Sequence, residues 1–158
     1  MGIDLKRRLI SLALVFVLIV SSIALIEIVV PVKASPKTIY VDDDNVSGPW
    51  DGTPEHPYQN ITSGLEHATA HDTIFVYNGT YYERVRIERE SIMLLGENRS
   101  YTIIDGGGTG VVVDITASNT TVSGFTVQNG SSGIMAHGAD NINIRDNVVV
   151  YNGWMGIY

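Results

Sequence analysis

The feature that most constrains this chain is a repeat in its second half, with a constant spacing of 23 in residue number. A glycine followed by a β-branched residue recurs at this spacing, at Gly110-Val111, Gly133-Ile134 and Gly156-Ile157. Asn129-Gly130 recurs in the same frame as Asn152-Gly153. A period of about 20–50 residues is typical of solenoid proteins, in which each repeat stacks on the one before.

Within each period the apolar residues are mostly β-branched and alternate along the chain, as in strands with one buried face. The alternating runs are Val111/Val113/Ile115, Thr120/Val122 and Phe125/Val127. Turn-forming Asn, Gly, Ser and Asp residues separate them. Three short strands and three turns fit into one such period, whereas a crossover helix does not. We therefore predict an all-β fold, a single-stranded parallel β-helix solenoid that winds once per period.

Residues one period apart should stack in such a coil. Val127 is predicted to lie against Val150, and Asn129 against Asn152, where the side-chain amides would form a ladder. A β-sandwich also has strands about every 8–12 residues. The glycine pairs and the Asn-Gly pairs share one frame, and this favours the solenoid.

Residues 1–34 have the pattern of a targeting segment. Lys6, Arg7 and Arg8 precede an uncharged run from Leu9 to Ile26, and Val32-Lys33-Ala34 resembles a cleavage site. Such a run is long for a signal peptide and just long enough to span a bilayer. Both interpretations, a cleaved signal peptide and an uncleaved N-terminal membrane anchor, predict that the rest of the chain is exported to the cell surface or secreted.

The charge of residues 35–158 limits the partners of the exported part. This part carries 15 acidic and 6 basic residues, a net charge of −9. Nucleic acid is therefore not an expected partner, because its binding needs an extended basic surface. The chain has no cysteine, which excludes disulfides and thiolate metal sites.

The exported part divides into three segments. Residues 35–58 are predicted to form an acidic Gly/Pro-rich loop with one short strand. Residues 59–72 are predicted to form a helix that caps the solenoid, with an apolar stripe of Ile61, Leu65 and Ala68. Residues 73–158 are predicted to be the coils. They have no cap after Tyr158, so we expect the solenoid to be incomplete there, or to self-associate through the open coil.

Two groups of side chains are candidate metal ligands. Hard cations such as Ca²⁺ prefer carboxylate oxygens, which one loop supplies at Asp42, Asp43, Asp44 and Asp51. A solvated acidic loop is the alternative interpretation. His67 and His71 stand one helical turn apart on the predicted helix, a spacing that can chelate a copper ion.

Asn-X-Ser/Thr sequons occur six times, more often than chance composition predicts. They are candidate N-glycosylation sites of a surface protein: Asn45, Asn60, Asn78, Asn98, Asn119 and Asn129. The alternative is that the turns of this fold favour Asn, Ser and Thr in any case.

Several motifs together resemble the pectin-lyase-like proteins. The predicted helix 59–72 is followed by Asp72-Thr73-Ile74-Phe75-Val76 and by Gly79-Thr80-Tyr81, which are similar to the first coil of that superfamily. Tyr40-Val41-Asp42-Asp43-Asp44-Asn45 and Gly48-Pro49-Trp50-Asp51-Gly52-Thr53 resemble exported archaeal members of its NosD-like group. The resemblance covers about residues 38–158 and implies a right-handed helix. It implies little about activity, because the superfamily contains lyases, glycoside hydrolases, epimerases and adhesins.

A sugar enzyme needs carboxylates, bases or cations that converge in one groove. The candidates in the coils are Asp105, Asp114, Asp140, Asp146, His137 and Arg145. Neither Asp140 nor Asp146 has an acidic partner one period earlier, so a stacked acid pair is not evident. Aromatic side chains offer stacking surfaces for glycans at Tyr81, Tyr82, Tyr151 and Trp154.

These observations predict an exported cell-surface β-helix protein that is carbohydrate-associated or structural, with a polysaccharide or cell-envelope glycan as its partner. Two alternatives stay open. One is a polysaccharide lyase or glycoside hydrolase whose catalytic coils follow Tyr158. The other, implied by the NosD-like resemblance, is a periplasmic copper-binding maturation factor.

Overall fold

The structure is a computed structural model that describes residues 4–10 and 35–158. The chain divides into two units, Met1–Lys33 and Ala34–Tyr158. Of the first unit, residues 4–10 are described; they are helical (α1) and exposed. Most of the predicted leader, including its apolar run and the cleavage-site pattern, lies outside the described residues. Within 4–10 and 35–158, none of the helices has the length and apolar character needed to cross a membrane.

Residues 35–158 form a parallel β-helix with three sheets. The first sheet contains β1 (Thr38–Val41), β2 (Thr73–Val76), β5 (Met93–Gly96), β8 (Thr121–Ser123) and β11 (Asn143–Arg145). The second contains β3 (Gly79–Tyr81), β6 (Thr102–Asp105), β9 (Thr126–Gln128) and β12 (Val148–Val150). The third contains β4 (Val85–Ile87), β7 (Val111–Ile115), β10 (Ser132–Ala136) and β13 (Met155–Ile157). All pairings are parallel. The predicted fold class is confirmed, with the right-handed winding that such crossovers adopt.

The core is a column of inward-facing apolar side chains between the sheets. Ile74, Leu94 and Val122 stack in the first sheet, and all three are fully buried. Ile104 and Val127 stack in the second and are buried as well. Burying each such side chain contributes about 1.5–3 kcal/mol. The inward residues of the last coil, Ile144 among them, are only partly buried.

The coils differ in length, so the residues that lie opposite each other are not always 23 apart as predicted. Thr73 lies opposite Met93, and Met93 lies opposite Thr121, so the second of these coils is longer than the first. Ile104 and Val127 keep the spacing of 23. The next coil is one residue shorter at this point, so Val127 lies opposite Val149 and the predicted contact with Val150 is wrong.

The predicted ladder between Asn129 and Asn152 is also wrong. Asn152 instead accepts a hydrogen bond from the Gly130 amide at 2.9 Å. An asparagine pair of this kind does exist in the turns that precede β8 and β11, where Asn141 Nδ2 donates to Asn119 Oδ1 at 3.1 Å. Asn119 and Asn141 both have positive φ, 60° and 58°, a conformation that Asn tolerates better than most residues.

The capping helix α2 spans Ile61–Glu66 and is shorter than the predicted 59–72. Asn60 caps its start, because Asn60 Oδ1 accepts from Ser63 N at 2.8 Å. The chain leaves the helix after Glu66 because Thr69 N–H donates to Asp72 Oδ2 rather than continuing the helical pattern. The predicted stripe of Ile61, Leu65 and Ala68 is buried against the coils.

Asp72 connects three parts of the N-terminal end. Its Oδ1 accepts from Lys37 N at 2.9 Å, before β1, and its Oδ2 accepts from Thr69 N at 2.7 Å and Thr69 Oγ1 at 3.0 Å. The side chain is buried. Burial raises the pKa of Asp72, but these hydrogen bonds and the charge of Lys37 outweigh it and leave the pKa below its ordinary value.

Gly96 and Gly124 follow equivalent strands and touch through their backbones. A Cβ added to Gly96 would lie 2.3 Å from the Gly124 carbonyl oxygen. Gly96→Ala should therefore destabilise the protein by about 1–3 kcal/mol, since neighbouring backbone would have to move. Urea unfolding would measure this. Gly156→Ala is the matched control, because its Cβ would meet nothing closer than 3.9 Å. Equal unfolding midpoints for the two variants would show that the close approach is absent.

Asp72→Asn should lower the free energy of unfolding by about 1–3 kcal/mol at pH 7, because one acceptor oxygen is lost from a buried site. A carboxylate with a lowered pKa stabilises fully above its unfolded pKa, and this stabilisation is lost as the pH falls from about 3.9 towards the folded pKa. The gap between wild type and variant should thus narrow at about pH 3. Urea unfolding at both pH values checks this, and an unchanged gap would contradict the role assigned to the carboxylate.

Candidate functional site

The outward face of the third sheet carries a row of aligned side chains, two of which are charged. Val85 and Ile87 of β4 are buried, so Arg86 between them points outward. The register places Arg86 opposite Asp114 of β7, and Asp114 opposite Met135 of β10. Three successive coils therefore each contribute one residue to this row.

Asp114 is the centre of a cluster on this face. Its Oδ2 lies 3.6 Å from Arg86 Nε, and its Oδ1 lies 3.0 Å from His137 Nε2. Arg86 Nε also lies 3.1 Å from Glu88 Oε1. The Asp114 side chain is 23% exposed and that of His137 is 54% exposed. Exposed ion pairs contribute only about 0–1 kcal/mol to stability, so the fold does not depend on this cluster.

A cleft of about 370 Å³ lies beside the cluster, between α2 and β4. Its walls are Thr62, Leu65, Glu66, Arg84, Arg86, Glu88 and Arg89. Three of the six basic residues in 35–158 thus line one cleft of an acidic body, and they outnumber its two glutamates. Arg89 is occupied by the fold, because its Nη1 donates to the Leu65 and Glu66 carbonyls. Arg84 and Arg86 are both exposed. The Nε of Arg86 already lies beside Glu88 and Asp114, so an anionic ligand at Arg86 would share it with these carboxylates.

The structure brings two of the predicted site residues together, Asp114 and His137. Asp105 is a buried structural residue that accepts from Gly107 N, Gln128 Nε2 and Asn129 Nδ2. Burial raises the pKa of Asp105, but these hydrogen bonds outweigh it and the pKa is lowered.

Asp140, Arg145 and Asp146 are exposed, on the chain segments around β11 in the first sheet. Arg145 Nη1 pairs with Asp146 Oδ2 at 2.9 Å. The Asp114 cluster lies on the third sheet, so these three predicted candidates belong to a different face of the solenoid.

The predicted calcium ligands are separately engaged. Asp42 Oδ1 accepts from Asp44 N at 3.1 Å, and Asp51 Oδ1 accepts from Thr53 N at 3.0 Å. Asp43 Oδ2 accepts from Thr80 N at 3.1 Å; burial and the neighbouring carboxylates raise the pKa of Asp43. Among residues 4–10 and 35–158, no three His, Asp or Glu side chains are grouped so that they could hold a metal ion.

The predicted histidine pair does not share a helix face, because α2 ends at Glu66. His67 is the C-cap residue and stacks on Tyr58, with ring centroids 4.7 Å apart. His71 lies past the helix with a φ of 75°. His67 and His71 are therefore not one turn apart on a helix, which was the basis for predicting a copper chelate.

The prediction that Tyr81 offers a stacking surface for a glycan is also wrong. Tyr81 is buried, with its hydroxyl donating to Tyr77 O at 3.0 Å, and burial raises the pKa of Tyr81. Tyr82, Tyr151 and Trp154 are exposed as predicted.

Sequence reasoning missed the arginines around β4. The signal was present, because the alternation that buries Val85 and Ile87 also orients Arg84 and Arg86 outward. Arg89 could not have been separated from them without the structure, since its contacts with the end of α2 depend on tertiary packing.

The three sheets of parallel strands define the chain as a right-handed parallel β-helix protein. It is similar in structure to a pectin methylesterase variant in complex with hexasaccharide IV, with a TM-score of 0.58, 16% identity, and 74% of this chain and 44% of that chain covered. It is also similar to pectin methylesterase in complex with hexasaccharide VII, with a TM-score of 0.60, 15% identity, and 78% and 46% covered. The chain thus spans less than half of these neighbours. No protein-family model and no curated protein matches it.

The six sequons are not equivalent in the structure. Asn45 Nδ2 donates both to Pro57 O at 2.7 Å and to Pro49 O at 3.3 Å, and Asn129 Nδ2 donates to Asp105 at 2.9 Å. Asn45 is partly buried, whereas the other five sequon asparagines are exposed: Asn60, Asn78, Asn98, Asn119 and Asn129.

In a glycosylating host, we expect Asn45 to carry no glycan in the folded protein, because a glycan would remove one of the two amide hydrogens that it donates. Asn78 and Asn98 are the expected occupied sites. Peptide mass spectrometry after enzymatic deglycosylation reads the occupancy of each site. Full occupancy at Asn45 in folded material would contradict the hydrogen-bond arrangement described here.

Proposed function

We propose that this is an exported cell-surface β-helix protein that binds carbohydrate, and that it holds a carboxylate-bearing glycan on the outward face of the third sheet. The carrying observation is the concentration of arginines in one cleft of an acidic body. Guanidinium groups bind carboxylates with two parallel hydrogen bonds, which favours uronate-type sugars over neutral ones.

Three further observations support the proposal. The basic and apolar pattern of residues 1–34 supports export. The structural neighbours are described in complex with hexasaccharides, which supports a polysaccharide partner. The motifs at residues 40–45 and 48–53 support membership of the NosD-like group. We do not extend the proposal to copper, because the helical histidine pair that motivated it does not form.

A polysaccharide lyase or hydrolase is the second candidate, and one observation favours it. His137 is held on Asp114 with Arg86 on the other oxygen of the same carboxylate. An imidazole can act as a base while a guanidinium neutralises the uronate carboxylate. Incubation with polygalacturonate, followed by ultraviolet absorbance for an unsaturated product and by a reducing-end assay, distinguishes turnover from binding. Turnover that disappears in His137→Gln would establish that the protein is an enzyme.

The binding proposal predicts retention on immobilised polygalacturonate that weakens with salt. Arg84→Gln and Arg86→Gln should each weaken retention about three- to tenfold, as expected for loss of one partly screened charged contact. Affinity electrophoresis measures this.

Arg99→Gln is the matched control, since Arg99 is exposed and does not line the cleft. The methyl ester of the same polymer should be retained poorly because it lacks the charge. Equal losses in all three variants would show a general charge effect and would refute a specific cleft.

A further inference from the structure

A second pocket, of about 330 Å³, lies near the start of α2 and shares no lining residue with the arginine cleft. Its lining residues are Trp50, Tyr58, Gln59, Asn60, Ser63 and His67. None of them is an acid, a lysine or an arginine. The pocket therefore combines aromatic rings with amide and hydroxyl groups, and its volume is within the range of about 300–1,000 Å³ that is usual for small-molecule sites.

Trp50 is held in a fixed orientation although it is 49% exposed. Its Nε1 donates to Asn45 O at 2.8 Å. The ring also packs against Gly48, where an added Cβ would lie 3.2 Å from Trp50 Cδ2. Asn45 is itself anchored to Pro57 O at 2.7 Å. A large aromatic surface is thus oriented towards solvent before any ligand arrives, which lowers the entropy cost of binding.

The other aromatic surface of the pocket is equally fixed. Tyr58 and His67 stack at 4.7 Å between centroids, with 21° between their planes. His67 Nδ1 is paired with Ser63 O at 2.9 Å, and Tyr58 N donates to Tyr40 O at 2.9 Å. The hydrogen bond to Ser63 and the stacking orient the His67 ring, and the backbone bond fixes the position of the chain that carries the Tyr58 ring.

This combination fits the chemistry of a sugar ring without charge. The face of an aromatic ring is electron-rich, and it attracts the C–H groups that cover one side of a pyranose. Amide and hydroxyl side chains such as Gln59 and Ser63 can donate to and accept from sugar hydroxyls. We propose that this pocket binds a neutral sugar ring. The proposal rests on this pocket alone and does not depend on the charged face of the third sheet.

The pocket has room for an oligosaccharide beside it. An adjoining pocket of about 200 Å³ shares Gln59 and Asn60 with it and is also lined by Tyr82, which is 80% exposed. Its lining includes the carboxylates of Asp43 and Glu83, which can accept hydrogen bonds from sugar hydroxyls. A second sugar ring can therefore follow the first along the N-terminal end of the solenoid, so the ligand to test is an oligosaccharide.

The test uses the full chain and neutral hexasaccharides of glucose, mannose, xylose and N-acetylglucosamine, with affinity measured by titration calorimetry. At least one should bind, and Trp50→Ala should weaken that binding about tenfold or more, as for truncation of a central aromatic contact. Tyr101→Ala is the control, because Tyr101 is an aromatic residue that is 64% exposed and does not line the pocket. It should bind like wild type.

A second variant and a second readout keep the test decisive. Gln59→Ala removes an exposed amide and should weaken binding about threefold; this effect does not depend on the loop that Trp50 holds. In a Trp154→Phe background, Trp50 fluorescence should shift saturably with the same hexasaccharide. Retention of Trp50→Ala on polygalacturonate should stay unchanged, so failure here and failure of the arginine cleft are distinguishable.

Three outcomes overturn the proposal. The first is that no hexasaccharide of the panel binds. The second is equal binding by Trp50→Ala and Tyr101→Ala. The third is a saturable shift of Trp50 fluorescence by tetramethylammonium chloride without a response to any sugar, which would assign the aromatic rings to a cation.

Discussion

The structure depends on the parallel stacking of equivalent strands from one coil to the next. A shift by a single residue would turn every inward side chain outward, because side chains alternate along a strand. The inward rows avoid this although the coil from Met93 to Thr121 is longer than the coil from Thr73 to Met93. The turns absorb the difference, so Leu94 still meets both Ile74 and Val122. The strands are therefore fixed while the turns are free to vary.

The same stacking fixes what the surface can present. Outward residues also align from coil to coil, so Arg86, Asp114 and Met135 become neighbours although they are far apart in sequence. Each is held on a strand of a hydrogen-bonded sheet, which gives a more precise arrangement than a loop does. The polar face of the third sheet therefore has its geometry before a ligand binds. A substitution there changes chemistry with little effect on the core.

The sequence predicted the buried residues of the strands correctly, because these follow the two-residue period of a strand. It did not predict the pairing between coils, because this depends on the lengths of the turns. The alternation at Phe125 and Val127 identified the buried residues correctly. The spacing of 23 gave the wrong partner for Val127, because an identical spacing of glycines does not report turn lengths. The length of α2 was set by a hydrogen bond from Thr69 to Asp72, which propensity does not show. Trp50 was missed because a single loop aromatic has no period.

The acidic balance of the body does not oppose binding of an acidic glycan in the cleft. Charges are screened over about 8–10 Å at physiological salt. The field inside the cleft is therefore set by its own three arginines and two glutamates more than by the net charge of −9 of residues 35–158. The pocket at Trp50 has no acid, lysine or arginine in its lining, and the binding of a neutral sugar there would depend little on the net charge of the protein. The two proposals together predict a polysaccharide in which charged and neutral sugars both occur.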